Sequence, residues 1–423
     1  MVGEAEVALE AADGRHFIPA EQLPLSGIRV IDFGHMVMGP SCGVTLADLG
    51  AEVIRVEPIK GDPTRTLSGF AAGFYDFFNR NKRSVALDLK SEKGLQTARE
   101  LIKSADILIE NFGPGTMDRL GLSWSDASAL NERLIYCQLK GYLKGPYENY
   151  MALDEVVQMH AGLAYMTGPK GTPLRAGASI VDIGGGMFGV IGILAALHQR
   201  GRTGKGSLVQ SALFETAAFF VGQHMATAAI QGEPTEPMPG WRDKPGKQAT
   251  QGAAAAGFWS IYQTFRTADG AVFLGTTTEA QWQRFCTAFG FGDVASDPRF
   301  ADPKDRRNNL QALGNTIQGL IERMSTQDVV AKGRAAQIPA APVGKPDDLF
   351  EDPHLNKYGG LAETRVRGDK RAKLPLLPIA FSDARFGLRL QPPGCGEHTQ
   401  AILQGLGYTD DQIEELRRAG AVR

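Results

Sequence analysis

Cysteine is scarce and scattered: Cys42, Cys137, Cys286 and Cys395 lie far apart and form no CxxC pair. That spacing argues against a disulfide framework or a thiolate zinc site and fits a reduced cytoplasm. Charge of one sign is not in excess, since 45 Lys and Arg stand against 47 Asp and Glu, a formal net charge of -2. So balanced a chain has no global basic field to hold nucleic acid or an anionic membrane. Its most apolar run, Gly184 to Leu197, has 14 residues, short of the ~20 that a helix needs to cross a bilayer, and reads as a buried helix. The first residues, MVGEAEVALEAADGRHF, are acidic and lack an n-region and an h-region, so no signal peptide is expected. His160, His224 and His398 show no HExxH or other ligand spacing, and no metal site is expected. A GxSxG elbow is missing, and no serine has the context of a triad nucleophile.

What is present is ordinary globular material. The 423 residues allow two or three folded units at about 150 residues each, and 43% hydrophobic with 22% charged residues is near the soluble average. Glycine is the outlier, 51 residues or about 12% against a usual ~7%, which implies many tight loops or close backbone approaches. β-Branched runs at Ile28–Phe33, Glu52–Glu57, Ser84–Asp88, Ile107–Glu110 and Leu134–Leu139 alternate with helical patterns, one that Pro40 can open and Gly50 close, another capped by Ser91. Strands separated by helices predict a parallel sheet covered on both faces, with ligand loops along one edge. Ala152–Phe220 reads as long and helical around a loop at Gly168–Gly177, and Gln231–Gly257 as a polar connection. An α+β pattern follows, with strands near Phe258–Thr264 and Val272–Thr276 and helices near Thr278–Phe289 and Asn309–Met324. The expected organisation is a large domain from residues 25–230, a linker at 231–257, a small domain at 258–345 and a return to the large domain at 346–423.

Several residues stand out chemically. The loop Gly34–Gly39 (GHMVMG) joins the first strand to the first helix, where helix amides can face an anion and Met36 and Met38 can line an apolar part; a buried turn packed by methionines is the structural alternative. Its glycines do not match GxGxxG, although Glu57 ends the second strand where a ribose-binding acid stands in nicotinamide enzymes, so an NAD-dependent oxidoreductase is a competing class. Lys82 and Arg83, Lys90, Arg119 and Lys140 lie around strands and suit a polyphosphate ligand at one sheet edge, or a solvated surface. Asp154 and Asp182 sit among apolar residues, where a carboxylate is costly unless hydrogen-bonded, so each fits either a helix cap or a working acid.

Taken together, DFGHMVMGPSCGVTLADLGAEVIRVEP, FNRNKRSVALDLK, ADILIENFGPGTMDRLG, KGPYENYMALDEVVQMHAGLAYMTG, TGKGSLVQSALFE and GEHT resemble the class III CoA-transferases, a family that includes formyl-CoA transferase, carnitine CoA-transferase and the α-methylacyl-CoA racemases. The resemblance runs from about Leu25 to Ala421 in the same order. It implies a Rossmann-like α/β large domain built from both chain ends, a smaller α+β domain, and two chains interlocked as a dimer. It also implies a CoA thioester as substrate with no permanently bound cofactor. Carried over by position, Met36, Val37 and Met38 contact the pantetheine and adenosine, and Leu87, Lys90, Arg119 and Lys140 the adenosine and phosphates. Pro58 stands where relatives often have a basic residue, with Lys60 nearby as a substitute.

The nucleophile departs from the family pattern. Relatives carry an aspartate in the loop after the T-G of the helical segment, whereas here TGPKGTPLRAG has Lys170 there and no acid. The resemblance leaves Asp182 and Asp154 as catalytic candidates, or makes this chain the non-nucleophilic subunit of a heteromer like succinyl-CoA:benzylsuccinate CoA-transferase. Leu153 replaces the histidine base of the racemases, which argues against racemisation. Gln251–Gly257 occupies the place of a glycine lid, with alanine for most of the glycines. The expected activity is transfer of CoA from an acyl-CoA, such as succinyl-CoA, to a free carboxylic acid through an enzyme-bound aspartyl intermediate.

Overall fold

The computed structural model describes residues 16–169, 171–232, 235, 237, 261–357, 359–368, 370–381 and 384–423. These divide into two compact units. One comprises residues up to Val157, Gly177–Phe219 and Leu349–Arg423; the other comprises Gln158–Ala176 and Phe220–Asp348.

The first unit is built on six strands: β1 (Arg29–Asp32), β2 (Glu52–Glu57), β3 (Lys82–Ala86), β4 (Ile107–Glu110), β5 (Ile135–Lys140) and β6 (Ser207–Ala212). All neighbours pair in parallel, in the order β3-β2-β1-β4-β5-β6. This is the doubly wound order, in which the strand sequence reverses between β1 and β4. The expected α/β Rossmann-like sheet is therefore present. Its β-branched runs are buried on both sides because helices cover both faces. On one face Ile31, Ile54, Leu108 and Tyr136 pack with α3 (Glu92–Lys103) and with two carboxyl-terminal helices, Thr399–Gly405 and Asp410–Arg418, through Leu101, Ile402, Leu403, Ile413 and Leu416. The chain end thus completes the sheet's cover, down to Val422, which bridges Leu87. Ser91 caps α3 by accepting from the Gly94 amide at 3.0 Å, as its sequence position predicts.

The opposite face is covered by α1 (Met38–Asp48) and α5 (Ile180–Thr203). Gly50, with φ +108°, turns the chain out of α1. The GGG of α5 is a packing device: a Cβ on Gly186 would lie 2.1 Å from Ser41 Oγ, and one on Gly185 2.4 Å from Met38 Cε. Gly186→Ala therefore forces α1 and α5 apart, and we expect it to cost about 1–3 kcal/mol by overpacking, seen as a lower unfolding temperature. The sequence pattern reads the apolar run as short and buried, but the helix has 24 residues and is, by length and composition, apolar enough to cross a membrane. The face that carries its glycines together with Val181, Val190, Ile193 and Ala196 is buried. Ile180, Met187, Ile191 and Leu194 form an exposed apolar stripe.

A second correction concerns β6, which sequence patterning places inside a long helical stretch. SLVQSA alternates in exposure along the sheet edge, a one-sided strand whose apolar content is too low to stand out. Between these elements lie α2 (Phe74–Phe78), α4 (Asp154–His160) and, after β6, α6 (Leu213–Gln231).

The second unit has its own core. Strands β7 (Ile261–Arg266), β8 (Ala271–Thr276) and β9 (Ala340–Pro342) form an antiparallel sheet with β8 central. Helices α7 (Glu279–Phe289), α8 (Leu310–Ile321) and α9 (Thr326–Ala335) bury Trp282, Phe285, Ile317 and Val329 against Phe265 and Leu274. The expected α+β elements all occur, with Thr278 capping α7. Most of the polar connection, including Gln251–Gly257, and Lys170 lie outside the described residues.

Candidate active site

Reversal of strand order at β1 and β4 opens a crevice at their carboxyl ends, the usual ligand position in such sheets. A cleft of about 420 Å³ lies there, lined by His35–Met38 after β1, Asn111–Pro114 after β4, Gln138–Gly141 at the end of β5, and by Asp154 and Asp182. All five first-loop and acid candidates from the sequence, Met36, Val37, Met38, Asp154 and Asp182, therefore meet in one cavity, together with Lys140.

The first loop is held rigidly. His35 donates its amide to Asn111 Oδ1 at 2.8 Å, and Asn111 Nδ2 returns a bond to the His35 carbonyl at 3.0 Å. Met36 adopts φ +58°, a conformation that L side chains rarely take and that surrounding structure must enforce. Beneath the loop, Asp32 Oδ1 accepts from the Gly34 amide at 2.7 Å, while Arg55 Nη1 donates to the Gly34 carbonyl at 2.6 Å. Lys82 Nζ reaches Asp32 Oδ2 at 2.8 Å, the Pro40 carbonyl at 3.0 Å and Asn79 Oδ1 at 3.2 Å. Lys82 and Asp32 are both fully buried, and burial pulls the Lys82 ammonium down to about 8, against the pull of Asp32. Two charges from separate strands thus clamp both ends of the loop.

This corrects the reading of the strand-end cations. Lys82 is a structural cation, and Arg83 pairs with Glu52 at 3.3 Å. Lys90 and Arg119 are exposed beyond the ends of β3 and β4; Arg119 touches Thr116 Oγ1 at 2.9 Å. Lys140 lies in the cleft but pairs with Glu148 at 3.0 Å and is 15% exposed. The Leu87 side chain belongs to the hydrophobic core, so only its backbone can meet a ligand. Glu57 is not placed as a ribose acid: it is buried and takes Arg65 Nε at 2.9 Å, Arg65 Nη2 at 2.7 Å and the Asp62 amide at 2.9 Å.

The two aspartates have different fates. Asp154 begins α4, is 4% exposed, and accepts from the amides of Val181 and Asp182 at 2.9 and 3.1 Å. It caps α5, a helix other than its own. Asp182, in the first turn of α5, is only partly buried, and among the described residues its carboxylate meets no hydrogen-bond donor. Burial, followed by the charges of Asp154 and Glu155, pushes its carboxyl up to about 7. A carboxyl of this kind at pH 7 is half ionised and poorly solvated, the state of a working acid or nucleophile. The glycines after it are interior to α5, so their amides are not oxyanion donors.

Sequence reasoning missed His35, Asn111, Phe112 and Glu110. His35 stacks on Phe112 with ring centroids 5.3 Å apart, and burial depresses its imidazole, leaving it neutral. Glu110 is buried, accepts from the Phe112 amide at 2.8 Å, and is pushed up to about 7 chiefly by burial. Their only sequence signal is position: Glu110 ends β4, Asn111 and Phe112 follow it, and His35 stands in the loop after β1. Among the described residues no cluster of His, Cys, Asp and Glu could hold a metal ion.

With this geometry in place, comparison with known proteins is decisive. The model of CoA-transferase family III matches residues 25–399. The chain belongs to CoA-transferase family III. Among curated class III relatives, it is 32% identical to the formyl-CoA:oxalate CoA-transferase of Rhodopseudomonas palustris strain BisA53, over 94% of this chain and 97% of the relative. It is 30% identical to the succinate–glutarate CoA-transferase of Agrobacterium fabrum, over 92% and 97%. A CAIB/BAIF family protein from Brucella suis superposes with a TM-score of 0.81 at 31% identity, covering 90% of this chain and 99% of that one. The fold and the enzyme class are thereby those of a CoA-transferase.

Proposed function

We propose that this chain moves CoA between an acyl-CoA and a free carboxylic acid, with Asp182 carrying first the acyl group and then the CoA. One observation carries this reading: Asp182 is a carboxylate in the cleft without a hydrogen-bond donor among the described residues, while Asp154 is engaged as a cap. In the first step a carboxylate oxygen of Asp182 bonds to the thioester carbonyl carbon. The C–S bond breaks, CoA leaves as thiolate, and a mixed anhydride remains. The thiolate then attacks the Asp182 carbonyl carbon and expels the acyl group as its carboxylate, leaving an aspartyl-CoA thioester. The acceptor acid repeats the two exchanges in reverse, and no ATP is required because anhydride and thioester are close in energy.

The loop Met36–Met38 supports this reading as a bed for pantetheine, with Lys90 and Arg119 at strand ends suited to the phosphates and the Leu87 backbone to the adenosine. Lys140 faces Glu148 instead. Asp154 acts as a positioning residue, orienting the first turn of α5. The exposed stripe of Ile180, Met187, Ile191 and Leu194 suits burial against a second chain, in an interlocked homodimer or with a related subunit, and the four free cysteines suit a reducing cytoplasm. A second reading, in which a partner chain supplies the nucleophile, is favoured by Lys170 at the family's aspartate position. It predicts that exchange needs the partner chain and survives replacement of Asp182.

Only ionised Asp182 can attack, so kcat/KM for the acyl donor is expected to rise with pH through about 7 and level off above 8. A rate constant from pH 5.5 to 9 that showed no such inflection would remove Asp182 from the nucleophile's role.

A further inference from the structure

We propose that Phe70 is a wall of the cleft against which the hydrocarbon of a CoA thioester lies, and that Arg367 is the positioning residue that holds this wall in place. The inference rests on the reading of the cleft as the acyl-CoA site and adds two side chains which that reading leaves out.

The wall stands on a short segment that follows β2. Gly69, with φ +64°, opens a single 3₁₀ turn, Gly69–Ala71, which the Ala72 amide closes on the Gly69 carbonyl at 3.1 Å. Phe70 at the centre of this turn lines the cleft and is 77% exposed. Its ring meets Phe74 edge to face at 5.8 Å, and Phe74 meets Phe78 in the same way at 6.3 Å. Phe78 is buried with Val37 of the first loop, and Ile183, the neighbour of Asp182, packs against the same cluster. A row of rings thus connects Phe70 to the first loop and to the first turn of α5. Hydrocarbon laid on such a ring leaves water and gains by it.

One 3₁₀ turn is a weak element by itself, and its support arrives from 300 residues further along the chain. There β10 (Leu361–Val366) and β11 (Lys370–Pro375) pair as an antiparallel hairpin, and Arg367 follows β10. Its Nη1 donates to the Leu67 carbonyl at 2.7 Å and its Nη2 to the Ala72 carbonyl at 3.2 Å. The planar guanidinium therefore fixes the separation of two carbonyls that lie on either side of Phe70, which a single ammonium cannot do. Arg367 does not itself line the cleft, so it acts on a ligand through the turn. The hairpin has other anchors: the Arg367 amide donates to Asp76 Oδ2 at 3.1 Å, the Arg365 amide to Gln391 Oε1 at 2.6 Å and Arg365 Nη2 to the Pro392 carbonyl at 2.7 Å. Removing the Arg367 side chain consequently frees the turn and leaves the hairpin docked.

The test is titration calorimetry of the full-length protein with two unreactive thioethers, S-methyl-CoA and S-hexyl-CoA, which lack the carbonyl that Asp182 would attack. Phe70→Ala should raise the Kd of S-hexyl-CoA roughly 10-fold, and Arg367→Ala about 5-fold. An equal rise for S-methyl-CoA puts the ring on the pantetheine arm, and a rise confined to S-hexyl-CoA puts it on the acyl chain; both support the inference. Because Arg367 acts through Phe70, the double variant should bind within about 2-fold of Phe70→Ala alone, whereas independent effects would multiply to about 50-fold. A double variant near that product would leave Arg367 a merely structural residue and overturn its role. Arg367→Lys keeps the charge without the fork and should weaken binding nearly as much as Arg367→Ala; a parent-like Kd would mean that charge, and not the turn, is what Arg367 supplies. An unchanged Kd in Phe70→Ala would overturn the inference and leave the transfer reading intact. So would a change of oligomeric state in that variant, which would assign the ring to a contact between chains. Failure of the parent protein to bind either thioether would overturn the acyl-CoA reading of the cleft, and this inference with it.

Discussion

Asp182→Asn is expected to abolish CoA exchange, with a loss of roughly 10⁴-fold or more in kcat, the scale seen when a covalent nucleophile is removed. The amide keeps the side chain's size and cannot form the anhydride. Mass spectrometry of protein incubated with acyl-CoA should show an aspartyl-CoA adduct on the parent protein and none on the variant. Stability distinguishes this loss from misfolding. The folded Asp182 carboxyl is held near 7, above its unfolded value of about 4. Between those values the folded chain therefore binds the proton more tightly, and that stabilisation is complete below about pH 4 and lost as pH rises through about 7. At pH 8 the parent protein carries an unfavourable buried charge that the asparagine lacks. Asp182→Asn should thus unfold at the same or a higher temperature than the parent at pH 8. An inactive variant that also melts earlier would point to a structural role. Asp154→Asn should behave differently, because weakening the cap of α5 costs about 1 kcal/mol and shifts the Asp182 carboxylate. Its activity falls but the adduct still forms.

Lys82→Met is expected to produce the largest loss of stability. Lys82 lies in a strand whose partner Asp32 is 50 residues earlier in the chain, and neither touches solvent. Removing the ammonium leaves Asp32 with Arg55 Nη1 at 3.9 Å as its nearest cation and strips the donor from the Pro40 carbonyl. Breaking a buried pair from one side costs about 3–5 kcal/mol. In a unit of this size, roughly 2–4 °C per kcal/mol puts the drop in unfolding temperature at roughly 6 °C or more. The Gly34–Pro40 loop loses one of its two clamps, so the KM for acyl-CoA should rise with it. A double change of Asp32 and Lys82 to an apolar pair should recover much of the stability, since the cost lies in the orphaned charge. A melting temperature unchanged in Lys82→Met would show that water or Arg55 compensates fully.

The sequence by itself determined the strands β1 to β5, the cap at Ser91, the α+β character of the second unit and the edge of the sheet where the switch-point cleft opens. These follow from short-range rules: β-branched runs, helix periodicity, capping chemistry and the handedness of crossovers act over a few residues, so a single stretch of chain states them. Tertiary structure alone decided which charged groups remain available for chemistry. Asp154 and Asp182 are equivalent as letters, yet one caps a helix 27 residues further along the chain and the other faces the cleft. Lys82, Lys140 and Lys90 all read as cations near strands, but the fold buries the first against Asp32, pairs the second with Glu148, and leaves the third in solvent. Strand β6 was hidden for a related reason, because an edge strand needs only one apolar face and its alternation gains meaning from β5 beside it. A carboxylate or ammonium declares nothing of its partner in sequence. Its partner fixes its charge, reach and pKa, and only the packing of distant segments brings that partner within 3 Å.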